Sequence, residues 1–161
     1  MATQTYVIDS SIAIKWYTQE ADTSSALRLR SFLMNRTITL IAPDLILYEL
    51  CNALRWNKQF SRNDVFLVLA SLWASGLRIV SPRIGLMEDA IRIAFDAHVT
   101  LYDASFLALA QQERVKLITS DVKLAKTSSP YVLTLKDCLE ELPSENFDNR
   151  PKRGYSKFSG T

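Results

Sequence analysis

The sequence predicts an α/β fold, a parallel sheet covered on both faces by helices. Three observations carry this. Short, β-branched apolar runs alternate with segments of helical periodicity. With 161 residues and 48% apolar content, the chain suits one globular domain with a sizeable core. No internal repeat breaks the alternation, and composition shifts only from Pro143 onward, toward Ser, Asn, Arg, Lys and Gly. The expected organisation is therefore a folded body over residues 1–142 and a basic tail over 143–161, expected to be flexible.

The elements follow in order. Residues 6–8 form the first expected strand and 11–16 a short helix. Residues 23–35 have helical spacing, with Ala26 and Leu33 on one side. The β-branched run "TITLIA" at 37–42 reads as a strand. Pro43 fits the first turn of a helix running to about residue 58, and Asp44 suits its positive end. Ser61 and Asp64 have capping spacing ahead of the next helix, which Gly76 ends. A strand at 77–80, helices at 86–95 and 102–113, and strands at 116–119 and 131–133 complete the pattern. Thr134 is placed to cap a last short helix.

Composition excludes several classes. The longest apolar run, "VFLVLASLWASGL" at 65–77, is too short to span a bilayer, which needs about 20 residues. No basic segment leads into an apolar one at the N-terminus, so a cytoplasmic protein is expected. Two cysteines, Cys51 and Cys138, do not make a disulfide framework. The net charge of +2 is uneven: Arg150, Lys152, Arg153 and Lys157 lie in an acid-free tail, and without them 15 basic residues face 17 acidic ones. The body does not look like a binder of nucleic acid by bulk charge. The four glycines make no phosphate-cradling loop, against nucleotide-binding folds.

Four carboxylates draw attention. Asp9 sits in the apolar stretch "VIDSSIAI", where an ionised group is expensive to bury without a partner. Asp9 and Asp121, in "LITSD", each directly follow an expected strand, the end of a parallel sheet where ligands bind. Each could instead cap a helix. Glu49, in "PDLILYELCNAL", falls on the apolar side of its helix, where capping is ruled out; an ion pair with Arg92 or Arg78 is the plain alternative. Asp103, in "TLYDASFLALA", is in a first helical turn yet aligned with Phe106, Leu107 and Ala110, so capping stays open for it. If the four converge, their mutual repulsion calls for a divalent cation, and all-oxygen ligands suit Mg²⁺ or Mn²⁺. Ser10, Ser11, Asn52 and Thr119 are candidates to orient them.

These segments resemble the PIN-domain ribonucleases, and most closely the VapC-type toxins of toxin–antitoxin pairs. The matching pieces are "VIDSSIAIKW", "APDLILYELCNAL", "VTLYDASFLALAQ" and "LITSD", in the family's order over roughly residues 5–140. The resemblance implies a three-layer α/β/α sandwich around a five-stranded parallel sheet. It implies that Asp9, Glu49, Asp103 and Asp121 form the catalytic metal site, supported by Ser11, Asn52 and Thr119. It further implies hydrolysis of RNA to a 5′-phosphate and a 3′-hydroxyl, an antitoxin partner and a homodimer. Ser11 stands where the family often carries Thr, and the hydroxyl is kept.

Other α/β folds with acidic pockets fit less well. A receiver domain would need its acid at the end of a middle strand, whereas Glu49 lies in a helix. A haloacid-dehalogenase-type phosphatase would need Asp where Ser11 stands. The rival of a different class is a PIN-like RNA- or protein-binding module with a weak or silent metal site. Lys15, Arg55, Lys58, Arg62 and Lys123 lie near the motifs and are candidates to meet RNA. The 65–77 stretch is expected to pack mostly in the core, with Trp56 the candidate for a partner surface.

Overall fold

A computed structural model describes residues 3–127 and 129–143. The proposed tail at 143–161 lies outside the described residues, apart from Pro143. The chain runs β1 (Gln4–Ile8), α1 (Ser10–Ile14), α2 (Thr23–Met34), β2 (Ile38–Pro43), α3 (Leu45–Trp56), α4 (Arg62–Trp73) and β3 (Arg78–Val80). It continues through α5 (Ile84–Ala97), α6 (Leu101–Glu113), β4 (Lys116–Thr119), α7 (Val122–Ala125), β5 (Val132–Thr134) and α8 (Leu135–Glu141).

The five strands form one parallel sheet in the order β3-β2-β1-β4-β5. Strands of such a sheet are buried on both faces and read as continuous apolar runs. Tyr6–Val7–Ile8 of β1 and Leu117–Ile118 of β4 are accordingly buried, with Val7 in register with Ile41 on one side and Leu117 on the other. Right-handed crossovers send α2, α3 and α4 to one face and α5 and α6 to the other. α6 lies across β1, β2 and β4, and α2 packs on β2 and α8. Being covered by the sheet on one side and α5 on the other, α6 is buried without a break from Ala104 to Ala110.

The topology also fixes where a site can form. From β1 the chain moves outward to β2 and β3, then returns to the other side of β1 as β4. The carboxyl ends of β1 and β4 therefore flank the switch point, where a crevice opens in sheets of this kind.

Most expected elements are present, and the differences have local causes. Pro43 ends β2 rather than starting α3. It lacks an N–H, and the bond to Val80 O is made by the next residue, Asp44 N, at 3.0 Å. α7 is not among the elements read from periodicity, since four residues are too few to show a helical period, but it realises the alternative that Asp121 caps a helix. α4 buries only Val68 and Leu72, so Phe66, Leu67 and Trp73 stand exposed, contrary to the expected core packing. Gly76, at φ +89°, makes the turn out of α4 in a conformation that side chains strain. Cys51 and Cys138 are free thiols. Among the described residues no single helix is long and apolar enough to cross a membrane.

Candidate active site

β1 delivers Asp9 to the switch point. Its backbone starts α1, but its carboxylate makes no capping bond. The side chain instead accepts from Ser11 Oγ on one oxygen and from Thr119 Oγ1 of the neighbouring strand on the other. Both hydroxyls are themselves fixed. Ser11 Oγ accepts from Ser120 N at 2.9 Å, and Thr119 Oγ1 accepts from Asp121 N at 2.9 Å. Asp9 is 4% exposed, and burial raises its pKa from 3.8 to about 6. The hydrogen bonds from Ser11 and Thr119 pull it down, and the charge of Asp121 pushes it further up.

Asp121 leaves β4 and caps α7, with Oδ1 accepting from Lys123 N at 2.7 Å and Leu124 N at 3.1 Å. The capping role is thus real, yet it uses one oxygen. Asp103 is similar: Thr100 Oγ1 donates to Asp103 Oδ2 at 2.8 Å and accepts from Asp103 N at 3.1 Å. This capping contact by Thr100 was missed in the sequence, although the spacing is that of Ser61 and Asp64. In α3 the stripe of Ile46, Leu50 and Leu54 is fully buried, and Glu49 stands at its edge. Glu49 has its pKa raised by burial first, lowered by a hydrogen bond with Ser10, and raised by Asp103. The contact between α1 and α3 brings Ser10 to Glu49.

The four acids thus stand as two interacting pairs, Asp9 with Asp121 and Glu49 with Asp103. Among the described residues, no three Asp, Glu, His or Cys side chains gather into one group that could hold a metal ion. None of the four acids has an ion-pair partner there either: Arg92 pairs with Asp89 and Arg78 with Glu113. Glu49 Oε2 is buried with no hydrogen bond. One oxygen each of Asp103 and Asp121 also lacks a partner among the described residues. Carboxylates with unpartnered oxygens and no cation suit a hard divalent ion, so the residues fit such a group by chemistry.

The supporting residues separate. Ser11 and Thr119 hold Asp9. Asn52 is exposed on α3 and lines a groove with Tyr48, Arg55, Phe60 and Phe66; among the described residues no hydrogen bond ties it to the acids. Lys15 is mostly buried and held by Glu20 at 3.3 Å and Ala21 O at 3.1 Å, so it does not project as a rim cation. Arg55 stacks on Trp56, 4.9 Å from the ring centre.

Solved structures with the same fold include PAE2754 of Pyrobaculum aerophilum, at TM-score 0.62 and 23% identity over 86% of this chain and 94% of that one. A toxin–antitoxin complex from Klebsiella pneumoniae matches at TM-score 0.62 and 18% identity, covering 81% and 97%. VapC20 of Mycobacterium tuberculosis, described as a Sarcin-Ricin loop cleaving toxin, matches at TM-score 0.60 and 16% identity, covering 76% and 95%. No curated protein matches the chain. The sequence profile of the PIN domain matches residues 6–129, a span that holds Asp9, Glu49, Asp103 and Asp121, and the chain belongs to the PIN domain family.

Proposed function

We propose that this chain is a metal-dependent ribonuclease, the toxin of a toxin–antitoxin pair. The carrying observation is Asp9, a buried carboxylate at the switch point, facing the charge of Asp121 with no basic residue paired to either among the described residues. Membership of the PIN domain family supports the reading, as do neighbours described as a toxin–antitoxin complex and a Sarcin-Ricin loop cleaving toxin.

Asp9, Glu49, Asp103 and Asp121 would hold one or two Mg²⁺ or Mn²⁺ ions. A cation bound there offsets the carboxylate charge, polarises the phosphodiester and makes water a stronger nucleophile. The chain's own residues prepare that site. Ser11 and Thr119 fix the Asp9 carboxylate, Ser10 holds Glu49, and Thr100 holds Asp103. The single histidine, His98, is exposed at the end of α5, so a paired-histidine mechanism has no basis in this chain. Hydrolysis in this reading leaves a 5′-phosphate and a 3′-hydroxyl. The exposed groove residues of α3 and α4 suit an antitoxin segment, and a homodimer acting in the cytoplasm completes the proposal.

The second reading, a PIN-like RNA- or protein-binding module with a silent metal site, draws on the absence of a three-acid group among the described residues. One experiment separates the two. Purified protein is incubated with a randomised single-stranded RNA pool and Mn²⁺ or Mg²⁺, and new RNA ends are sequenced. Cleavage that EDTA stops and that Asp9→Ala and Asp103→Ala abolish supports the nuclease. Cleavage surviving in those variants, or binding without any cleavage, overturns it.

A further inference from the structure

A cleft of about 670 Å³ opens beside the site and shares Thr119 and Ser120 with it. Clefts of about 300–1,000 Å³ commonly take small ligands. Its remaining walls come from α2, from α7, which Asp121 caps, and from the junction of β5 with α8, where Thr134 stands. Asp22 and Ser25 stand at the start of α2, Val122, Ala125 and Lys126 on and just after α7, and Leu135 and Lys136 at the start of α8.

Its chemistry is graded. Lys126 has no side-chain partner among the described residues, and Lys136 is only loosely held, 3.9 Å from Glu140. The Ser25 and Ser120 hydroxyls carry no hydrogen bond among the described residues. Val122 is 64% exposed and, with Ala125, offers an apolar surface. Asp22 contributes a carboxylate from the α2 side that does no capping work. An acidic catalytic site repels the RNA it must cut, so attraction has to come from neighbouring cations. Three other basic residues are already engaged: Lys15 with Glu20, Arg78 with Glu113 and Arg92 with Asp89.

We propose that this cleft is the subsite for the nucleotide next to the scissile phosphate, with Lys126 and Lys136 meeting its phosphate and Val122 and Ala125 carrying its base. The proposal rests on the ribonuclease reading. Asp22 repels phosphate and so sets the orientation, phosphate toward the lysines and the base on α7 with its edge toward Asp22. As an acceptor it favours a base with an exocyclic amine.

The test compares wild type with the double variant K126E/K136E, the charge-keeping K126R/K136R, and Arg114→Glu at the opposite end of the sheet as control. KM and kcat are measured on the randomised single-stranded RNA pool with Mn²⁺, and its Kd by fluorescence anisotropy with Ca²⁺ at several salt concentrations. The subsite predicts that K126E/K136E raises KM and Kd by about tenfold and flattens the salt dependence by about 1.4, the value for two lost contacts to a single strand. The effect falls on KM rather than kcat, and K126R/K136R restores it. If wild type cuts RNA while K126E/K136E keeps its KM and salt slope, or loses kcat alone, the subsite is wrong and the nuclease reading stands. If wild type binds RNA through the two lysines without cutting, the subsite stands and the catalytic reading fails. If wild type neither binds nor cuts RNA, both fall.

Discussion

Thr119 reaches across from β4 to donate its hydroxyl hydrogen to Asp9 at the end of β1, and the same oxygen accepts from Asp121 N. One side chain thereby joins two neighbouring strands and two of the four acids. β1 and β4 pair directly, with Ile8 in register with Ile118, so this contact needs no long reach. It makes Thr119 the mechanical centre of the candidate site.

Thr119→Val keeps the shape and removes both bonds. A buried group left without its partner costs about 1–3 kcal/mol, so the variant should lose about that much unfolding free energy in urea melts. Asp9 should also bind its proton more tightly, because one of the bonds favouring its charged form is gone. RNA cleavage should fall while the circular dichroism spectrum stays that of the wild type. Unchanged stability and activity together would show that Thr119 does not hold Asp9 in solution.

The raised pKa of Asp9 gives a pH dependence with a definite sign. The folded chain holds this proton up to about pH 6, whereas the unfolded chain releases it near 3.8. Between those values the folded state binds more protons, so stability falls as pH rises. The loss amounts to about 3 kcal/mol and is complete above about pH 6. Asp9→Asn abolishes this slope, because the amide does not titrate. Urea melts of both proteins in EDTA from pH 4 to 7 should converge at low pH and separate at high pH, with Asp9→Asn the more stable. Parallel curves would mean that Asp9 is not buried as a strained charge.

Glu49 offers the complementary case. Burial and Asp103 both raise its pKa, and Oε2 has no hydrogen bond. Glu49→Gln removes the charge and keeps the length. The variant should be more stable than wild type without metal, by about 1 kcal/mol. Mn²⁺ should raise the melting temperature of wild type and leave Glu49→Gln nearly unmoved, since a lost ligand removes the linkage between binding and folding. Equal metal shifts in the two proteins would take Glu49 out of the ligand set.

Much of this architecture is legible in the sequence because parallel strands, buried on both faces, stand out as short apolar runs. Lys116–Thr119 was expected in full, and the Ser61–Asp64 capping pair is present as spaced. The position of Asp9 and Asp121 beyond their strands was also readable, but their proximity was not. It depends on β4 returning to lie beside β1, which strand order alone decides. The extent of α7 and the exposure of α4 are not legible in the sequence, for different reasons. Four residues show no period, and an apolar face reads the same whether it meets a core or solvent. Thr100 is the other half of the cap left open for Asp103; its spacing matches that of Ser61 and Asp64, but spacing alone does not tell whether the aspartate turns back to the cap or out to a ligand.

The exposed aromatic residues give the last prediction. Trp56 is 73% exposed and Trp73 67%, at the ends of the adjoining helices α3 and α4. Tyr48, Cys51 and Phe66 line the apolar groove that also contains Trp73. Such large side chains contribute little to folding where they stand. Trp73→Asp should change stability by about 0.5 kcal/mol or less, as exposed substitutions usually do. Trp56→Asp also loses the Arg55 stacking contact, worth about 0.5–1 kcal/mol at an exposed site. By contrast, Leu50→Ala in the fully buried stripe of the same helix should cost about 2–5 kcal/mol. If this face receives an antitoxin, co-expression with the product of the adjoining reading frame should give a complex with wild type that Trp56→Asp and Trp73→Asp both weaken. Aromatic anchors at an interface typically carry about 2 kcal/mol or more each, a loss of thirtyfold in affinity or thereabouts. Complexes of undiminished affinity from both well-folded variants would move the partner surface elsewhere on the molecule.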